Sequence, residues 1–289
     1  MRGVLRKDGR KGIRNVVLVS YLVECAHHVA ARIAWHYQQE EVHLIGFGGC
    51  APNDYAEVMM RQLCTHPNVG AVLLVSLGCE NFQRQRLLQD IRESGRPASL
   101  IVIQEEGGTL PSIDRGIREV GDFLSRIADA PQVEMGWADL MIGTVCGGSD
   151  GYSGITANPS VGCTFDWLVG HGATCIFEEP GELIGCEALL RDRADNPELG
   201  ARLYNCIVKA DKYYKQMGHD SFSAGNATGG LTTIEEKSLG SYCKSGSRPI
   251  QGLTNPSVAP NKPGLWMMDV VPDGEARWGF PNINDNAEI

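Results

Sequence analysis

Cys50 in GFGGCAPND, Cys79 in SLGCEN and Cys146 in TVCGGSDG each follow an apolar run and stand in a turn beside glycine. Thiolates brought to the ends of strands suit iron, zinc or an iron–sulfur cluster, so all three are candidate metal ligands. No CxxC pair occurs in the chain, so spacing alone leaves a plain tight-turn reading open beside the ligand reading. Cys64, Cys175, Cys186 and Cys206 lie in apolar stretches and read as small core residues.

The stretch from Cys146 to Asn158 carries the densest chemistry. Gly147 and Gly148 let backbone amides approach a ligand, while Ser149, Asp150, Ser153 and Asn158 supply hydroxyl, carboxylate and amide groups ahead of a helix with Pro159 in its first turn. Such a loop can hold an anion at a helix N-terminus; an ordinary turn with Asn158 as its cap is the simpler account of that residue. A second glycine doublet, Gly229–Gly230, follows Asn226 in GNATGGLTTIEEKSLG, and these three are further substrate-binding candidates. In the same segment Lys237 could neutralise a carboxylate or act as a base, because burial can bring a lysine toward neutrality. A solvated helix start explains EEKS equally well. Glu178 and Glu179, followed by Glu182, offer hard oxygen ligands for a divalent cation at the end of an apolar run, Glu178 and Glu182 first among them, although a strand-end acidic pair is also common surface charge. Asp150, Lys237 and His219, the last in MGHDSF, are the candidate catalytic side chains. The histidines show no HExxH spacing, and His66 in HPNVGAV reads as a turn residue before a strand.

These residues need elements to position them. NVVLVSYLV, VHLIGF, GAVLLVSLG and SLIVIQ are continuous apolar runs, each followed by a helical stretch. That alternation predicts βαβ units around a parallel sheet buried on both faces, with ligands at the carboxyl ends of the strands. The polar segment around Gln132 marks a boundary, after which DLMIGTV and ATCIFEE predict a second sheet with helices through Phe165 and from about Asp195 to Met217. The expected fold is α/β, with two Rossmann-like three-layer domains of mostly parallel sheet over residues 1–131 and 132–289. The segment SRPIQGLTNPSVAPNKPG reads as a proline-rich loop, and the final PNINDNAEI as a helix start capped by Asn284 or Asp285.

The totals exclude other classes. A net charge of −9, with no lysine- or arginine-rich block, argues against nucleic acid or an anionic membrane as the main partner. No apolar run approaches the ~20 residues of a membrane span, and no signal-like core follows the N-terminus; the location expected is cytoplasmic, where the ten cysteines are thiols or ligands. No GxGxxG follows the first strand, which rules out a Rossmann dehydrogenase.

The segments RKDGRKGIRN, GCAPND, HPNVGAVLLVSLGCE, IQEEGGT, CGGSDGYSGITANP and GNATGGLTTIEEKSLG, in this order, resemble the altronate and galactarate dehydratase family over essentially the whole chain. YLVECAHHVA and LWMMDVVPDGEARWGFPNINDNAEI place the resemblance nearer its sulfo-lyase branch than its sugar-acid branch. The resemblance implies metal-dependent β-elimination of sulfite from (2R)-3-sulfolactate to give pyruvate. The alternatives are dehydration of a sugar acid of the altronate or galactarate type and, in a different class, a non-catalytic scaffold subunit of such a lyase. Iron is the implied cofactor, with Cys50, Cys79 and Cys146 as ligands of the metal or of an iron–sulfur cluster; the alternative is a mononuclear Fe²⁺, Mn²⁺ or other divalent metal on carboxylates such as Glu178 and Glu182. The family's small extra N-terminal domain and its further C-terminal segments are both missing, which implies a separate small subunit, an oligomeric assembly and a truncated C-terminus.

Overall fold

The computed structural model describes residues 1–218 and 220–271. The chain forms two compact units, the first ending at Met135 and the second beginning at Gly136.

In the first unit, β1 (Arg2–Leu5) and β2 (Lys11–Gly12) precede a βαβ series. The series runs β3 (Val16–Tyr21), α1 (Glu24–His36), β4 (Val42–Gly46), α2 (Asp54–Cys64), β5 (Val69–Ser76), α3 (Arg84–Glu93), β6 (Ala98–Val102) and α4 (Thr109–Ile127). Four strands form one parallel sheet in the order β4-β3-β5-β6. Every residue of β5 is buried, as a central parallel strand covered on both faces requires. Val16, Leu18, Val72 and Leu74 face α2 and α3 on one side, and Val17, Val19, Leu73 and Val75 face α1 and α4 on the other. Each such buried side chain is worth about 1.5–3 kcal/mol relative to exposure. Here the apolar runs of the sequence and the observed strands coincide.

The sequence reading missed a small antiparallel sheet, β2-β1-β7, in which β7 (Gln132–Glu134) pairs with β1. The chain therefore leaves the first unit at Gly136 rather than near Gln132, because Gln132–Glu134 is held by that pairing.

The second unit contains β8 (Met141–Thr144), α5 (Ala157–Gly170), β9 (Thr174–Phe177), α6 (Glu187–Asp192), α7 (Pro197–Gln216), α8 (Ala224–Thr228), α9 (Ile234–Cys243), β10 (Ile250–Thr254) and β11 (Gly264–Met268). Its sheet is parallel, ordered β10-β11-β9-β8. Phe165 and Leu168 of α5, Leu190 of α6 and Leu203 and Ile207 of α7 pack on Cys175, Phe177, Ile250, Leu265 and Met267, which face one side by the two-residue period of strands. Both units are α/β and Rossmann-like.

Two readings of this half are corrected. SRPIQGLTN is no loop throughout: Ile250, Gly252 and Thr254 alternate inward as β10, the prolines standing outside the strand. Asn158 is no helix cap, since α5 begins one residue earlier with Thr156 at the cap position. No helix among the described residues is long and apolar enough to cross a membrane. The expected cap at Asn284 or Asp285 lies outside the described residues.

Candidate active site

The register of the second sheet pairs Thr144 of β8 with Phe177 of β9, so the chain segments leaving these two strands run side by side. Two residues beyond each pair member stand Cys146 and Glu179, and the Cys146 amide donates to Glu179 Oε2 at 2.8 Å. Glu179 has φ 70° and ψ 57°, the left-handed region. For a residue with a Cβ this conformation costs about 1–2 kcal/mol, and strain of this kind gathers where a side chain must be aimed. A 3-10 turn over Pro180–Leu183 follows and brings Glu182 back to the same point.

Helix α9 supplies the opposite wall. Lys237, Ser241 and Lys244 succeed one another at four- and three-residue steps and therefore share one face. Ser241 Oγ donates to Glu182 Oε2 at 3.1 Å. Lys244 Nζ stands 3.1 Å from Glu179 Oε2 and 3.3 Å from Glu182 Oε2, and Lys237 Nζ stands 3.6 Å from Glu182 Oε1. Lys237 and Lys244 are only 9% and 8% exposed, which lysines tolerate only when paired. Lys237 also donates to Ser221 O at 2.6 Å and Asn226 Oδ1 at 3.3 Å. Two hydrogen bonds and the nearby Glu182 carboxylate thus hold the Lys237 ammonium in place.

Several contacts hold α9 in place. Asn158 Nδ2 donates to Gly240 O at 2.9 Å. A Cβ on Gly240 would stand 3.2 Å from Gly154 Cα, and one on Gly162 would overlap the Cys243 carbonyl oxygen. Beyond the helix, Arg193 donates to Gly246 O and Ser245 Oγ at 2.7 Å each and lies 4.6 Å from the centre of the Tyr242 ring.

Between these walls lies a cleft of about 520 Å³ whose lining includes Cys146, Gly147, Gly148, Ser149, Asp150, Ser153, Asn158, Lys237 and Lys244. A Cβ at Gly147 or Gly148 would meet nothing within 4 Å, so the bare backbone there is reachable by a ligand. Asp150 and Ser153 shape the loop: Asp150 Oδ1 accepts from the amides of Tyr152 and Ser153, and Ser153 Oγ donates to Asp150 O at 2.9 Å. The Gly151 amide donates to Gly229 O at 2.9 Å, which ties the loop to the second glycine doublet. Gly230 has φ +90°, a conformation that glycine adopts without strain. Asn226 is buried, and its Oδ1 accepts from the Ser223 amide as well as from Lys237.

The electrostatics are divided. Burial, reinforced by Glu182, pushes the Glu179 carboxyl above its ordinary range. Burial works against Glu182 too, but Lys244, Lys237, Ser241 and Ser149 outweigh it and hold that carboxyl low. Lys244 is held above its usual value because Glu179 and Glu182 outweigh the cost of its burial. Burial pushes the Cys146 thiol up, with both glutamates adding to the effect.

Cys146, Glu179 and Glu182 each present one ligand atom within 4.8 Å of the others, the one such group of His, Cys, Asp or Glu among the described residues. One thiolate and two carboxylates are a donor set for Fe²⁺, Mn²⁺ or Zn²⁺, and the Lys244 ammonium already stands between the two carboxylates as a cation would. The residues therefore fit a divalent metal. Of the three carboxylates expected to offer ligands, Glu179 and Glu182 are in this group, and Glu178 is buried and outside it. Cys50 and Cys79 belong to the first unit, where both are exposed, and Cys50 O accepts from the Asn81 amide just past Cys79. Cys64, Cys175, Cys186 and Cys206 are buried. His66 fixes its turn by accepting from the Asn68 amide through Nδ1. His219 lies outside the described residues.

Lys244 is the functional candidate that the sequence alone does not single out. It has no motif around it, and its seven-residue spacing from Lys237 is the available signal.

A parallel α/β unit with a glycine-rich loop, a half-buried acid pair and two buried lysines converging at its strand ends defines a small-molecule site of enzymatic character. Residues 3–128 match the second domain of D-galactarate dehydratase/altronate hydrolase, and residues 137–277 the C-terminal part of D-galactarate/altronate dehydratase. The chain belongs to this family. It is 32% identical over 279 residues to the (2R)-sulfolactate sulfo-lyase subunit beta of Chromohalobacter salexigens, covering 92% of this chain and 70% of that protein. It is 28% identical over 265 residues to the altronate dehydratase of Bacillus subtilis, 86% of this chain and 53% of that one. To the galactarate dehydratase (L-threo-forming) of Escherichia coli it is 36% identical over 217 residues, 71% of this chain and 41% of that one. The chain thus spans about half the length of these two dehydratases.

Proposed function

We propose that the cleft of the second unit is the site of a metal-dependent lyase that removes the C2 proton of a small anionic 2-hydroxy acid and expels a group from C3. The substrate favoured is (2R)-3-sulfolactate, with sulfite and pyruvate as products. The observation that carries the reading is that the cleft holding the bare Gly147–Gly148 backbone is also lined by two buried lysines, whose ammonium groups pair with Glu179 and Glu182. The sulfo-lyase branch is favoured by the YLVECAHHVA and LWMMDVV segments, and the sulfo-lyase subunit is similar over 92% of this chain.

The residues divide the work as follows. Cys146, Glu179 and Glu182 hold a divalent metal, Fe²⁺ before Mn²⁺ because a thiolate is among the donors. When bound, such an ion stabilises the enediolate that forms once the proton α to the carboxylate is removed. The Gly147 and Gly148 backbone, ahead of the N-terminus of α5, binds the substrate carboxylate. Lys237 is a fixed positive charge near the reacting centre, placed to stabilise negative charge as it develops. Asp150 and Ser153 keep the loop in shape, and Asn226 keeps Lys237 in position. A small companion subunit is proposed as partner, because the sulfo-lyase relative is itself named as a subunit beta.

The test is product analysis with full-length protein supplied with iron under anaerobic conditions. Sulfite with pyruvate from sulfolactate supports the reading. A 2-keto-3-deoxy acid from altronate or galactarate, without sulfite release, moves the chain to the dehydratases. No turnover of any of these, with companion subunit present, supports the scaffold.

A further inference from the structure

Lys244 stands at the C-terminal cap position of α9, and its ammonium bridges Glu179 and Glu182 at 3.1 and 3.3 Å. Cys146 Sγ and one oxygen of each glutamate lie within 4.8 Å of one another. A divalent cation on these donors would need oxygens at roughly 2.0–2.2 Å and a sulfur at about 2.3 Å. An ammonium and a metal ion cannot both lie between the same two carboxylates, because positive charges at such range repel strongly. The lysine has somewhere to go. Its side chain lines the same cleft as Gly147 and Gly148, where a Cβ on either glycine would meet nothing within 4 Å, and a lysine stem is flexible. The backbone that carries it is clamped by Asn158, Gly162 and Arg193, so the movement is confined to the side chain.

We infer that Lys244 is an internal stand-in for the divalent cation: it neutralises Glu179 and Glu182 until the metal binds, then swings into the cleft and offers its ammonium to the anionic end of the substrate. The inference rests on the metal reading proposed above. It makes metal and substrate binding mutually reinforcing, since the metal releases the cation that the substrate uses. It also keeps two half-buried carboxylates paired in the metal-free protein, which unpaired would be destabilised.

Mn²⁺ binding to full-length protein, without substrate, tests it. Free Mn²⁺ is measured by electron paramagnetic resonance for the unaltered protein and for Lys244→Met, Lys244→Gln and Glu182→Gln. Removing the competing ammonium is expected to tighten Mn²⁺ binding about tenfold in both Lys244 variants, within the range of ordinary site-to-site coupling, while Glu182→Gln loses it. Melting curves guard against a variant that is simply less stable: added Mn²⁺ should raise the melting temperature more in the Lys244 variants than in the unaltered protein. Equal or weaker binding in both Lys244 variants, with Glu182→Gln still defective, overturns the stand-in and leaves the metal site intact. Absence of Mn²⁺ binding from every form, or binding that Glu182→Gln leaves unchanged, overturns both.

Discussion

A methyl group on Gly162 would overlap the carbonyl oxygen of Cys243, so the middle of α5 rests directly on the end of the helix that carries Lys237 and Lys244. The contact is to backbone, and no rotation of a side chain can relieve it. Gly162→Ala should therefore push the end of α9 away from α5. A destabilisation of about 1–3 kcal/mol is expected, as for other overpacked sites, read as a lower urea midpoint. Activity should fall further than stability accounts for, because Lys244 shifts relative to Glu179 and Glu182.

How much of this was legible beforehand follows the strength of local signals. The strands of the first sheet are continuous apolar runs bounded by turns, and β3, β5 and their helices stand where that pattern put them. Strand β1 did not announce itself, since Arg2–Leu5 is short and only its two middle residues are buried. The CGGSDG loop could be recognised because glycine doublets beside polar residues have few other uses. What Asp150 and Ser153 do there could not, because an Asx-type turn and a ligand contact draw on the same residue types. Glu179 rather than Glu178 reaches Cys146 because its own backbone is in the left-handed region, a reversal that no composition encodes. Lys244 is tied to residues more than 60 positions away, so its partners come from tertiary structure alone.

Lys237 donates to Ser221 O and Asn226 Oδ1 and stands 3.6 Å from Glu182 Oε1. Lys237→Met should lower kcat by about 10²–10³, comparable to losing one electrostatic donor in an active site. Substrate-dependent product formation measured under saturation separates this from a change in KM. If kcat holds and only KM rises, Lys237 binds substrate uniformly and does not act on the transition state.

Glu80 offers a pH test in the first unit. Its side chain is fully buried, and it accepts from Ser76 Oγ and from the Gly78 amide at 2.9 Å, with Arg84 Nη1 3.7 Å away. Burial works to raise this carboxyl, but Ser76, the backbone amides and Arg84 prevail and hold it below its ordinary value of 4.5. The sign follows: its stabilisation is complete above that value and is lost as pH falls through the depressed one. The urea midpoint of the unaltered protein should thus drop more steeply below about pH 4.5 than that of Glu80→Gln. At neutral pH the substitution should cost about 1–3 kcal/mol, because hydrogen bonds to a charged group are lost. Parallel acid titrations of the two proteins would count against this role for Glu80.

The most direct test of the account is metal and acid-labile sulfide content, with an absorption spectrum, on anaerobically purified full-length protein and on its Cys146→Ser, Glu182→Gln, Cys50→Ser and Cys79→Ser variants. The account predicts metal without sulfide, lost in Cys146→Ser and Glu182→Gln and kept in Cys50→Ser and Cys79→Ser. Iron with sulfide that disappears in Cys79→Ser or Cys50→Ser would contradict it and assign the metal to a thiolate-bound cluster.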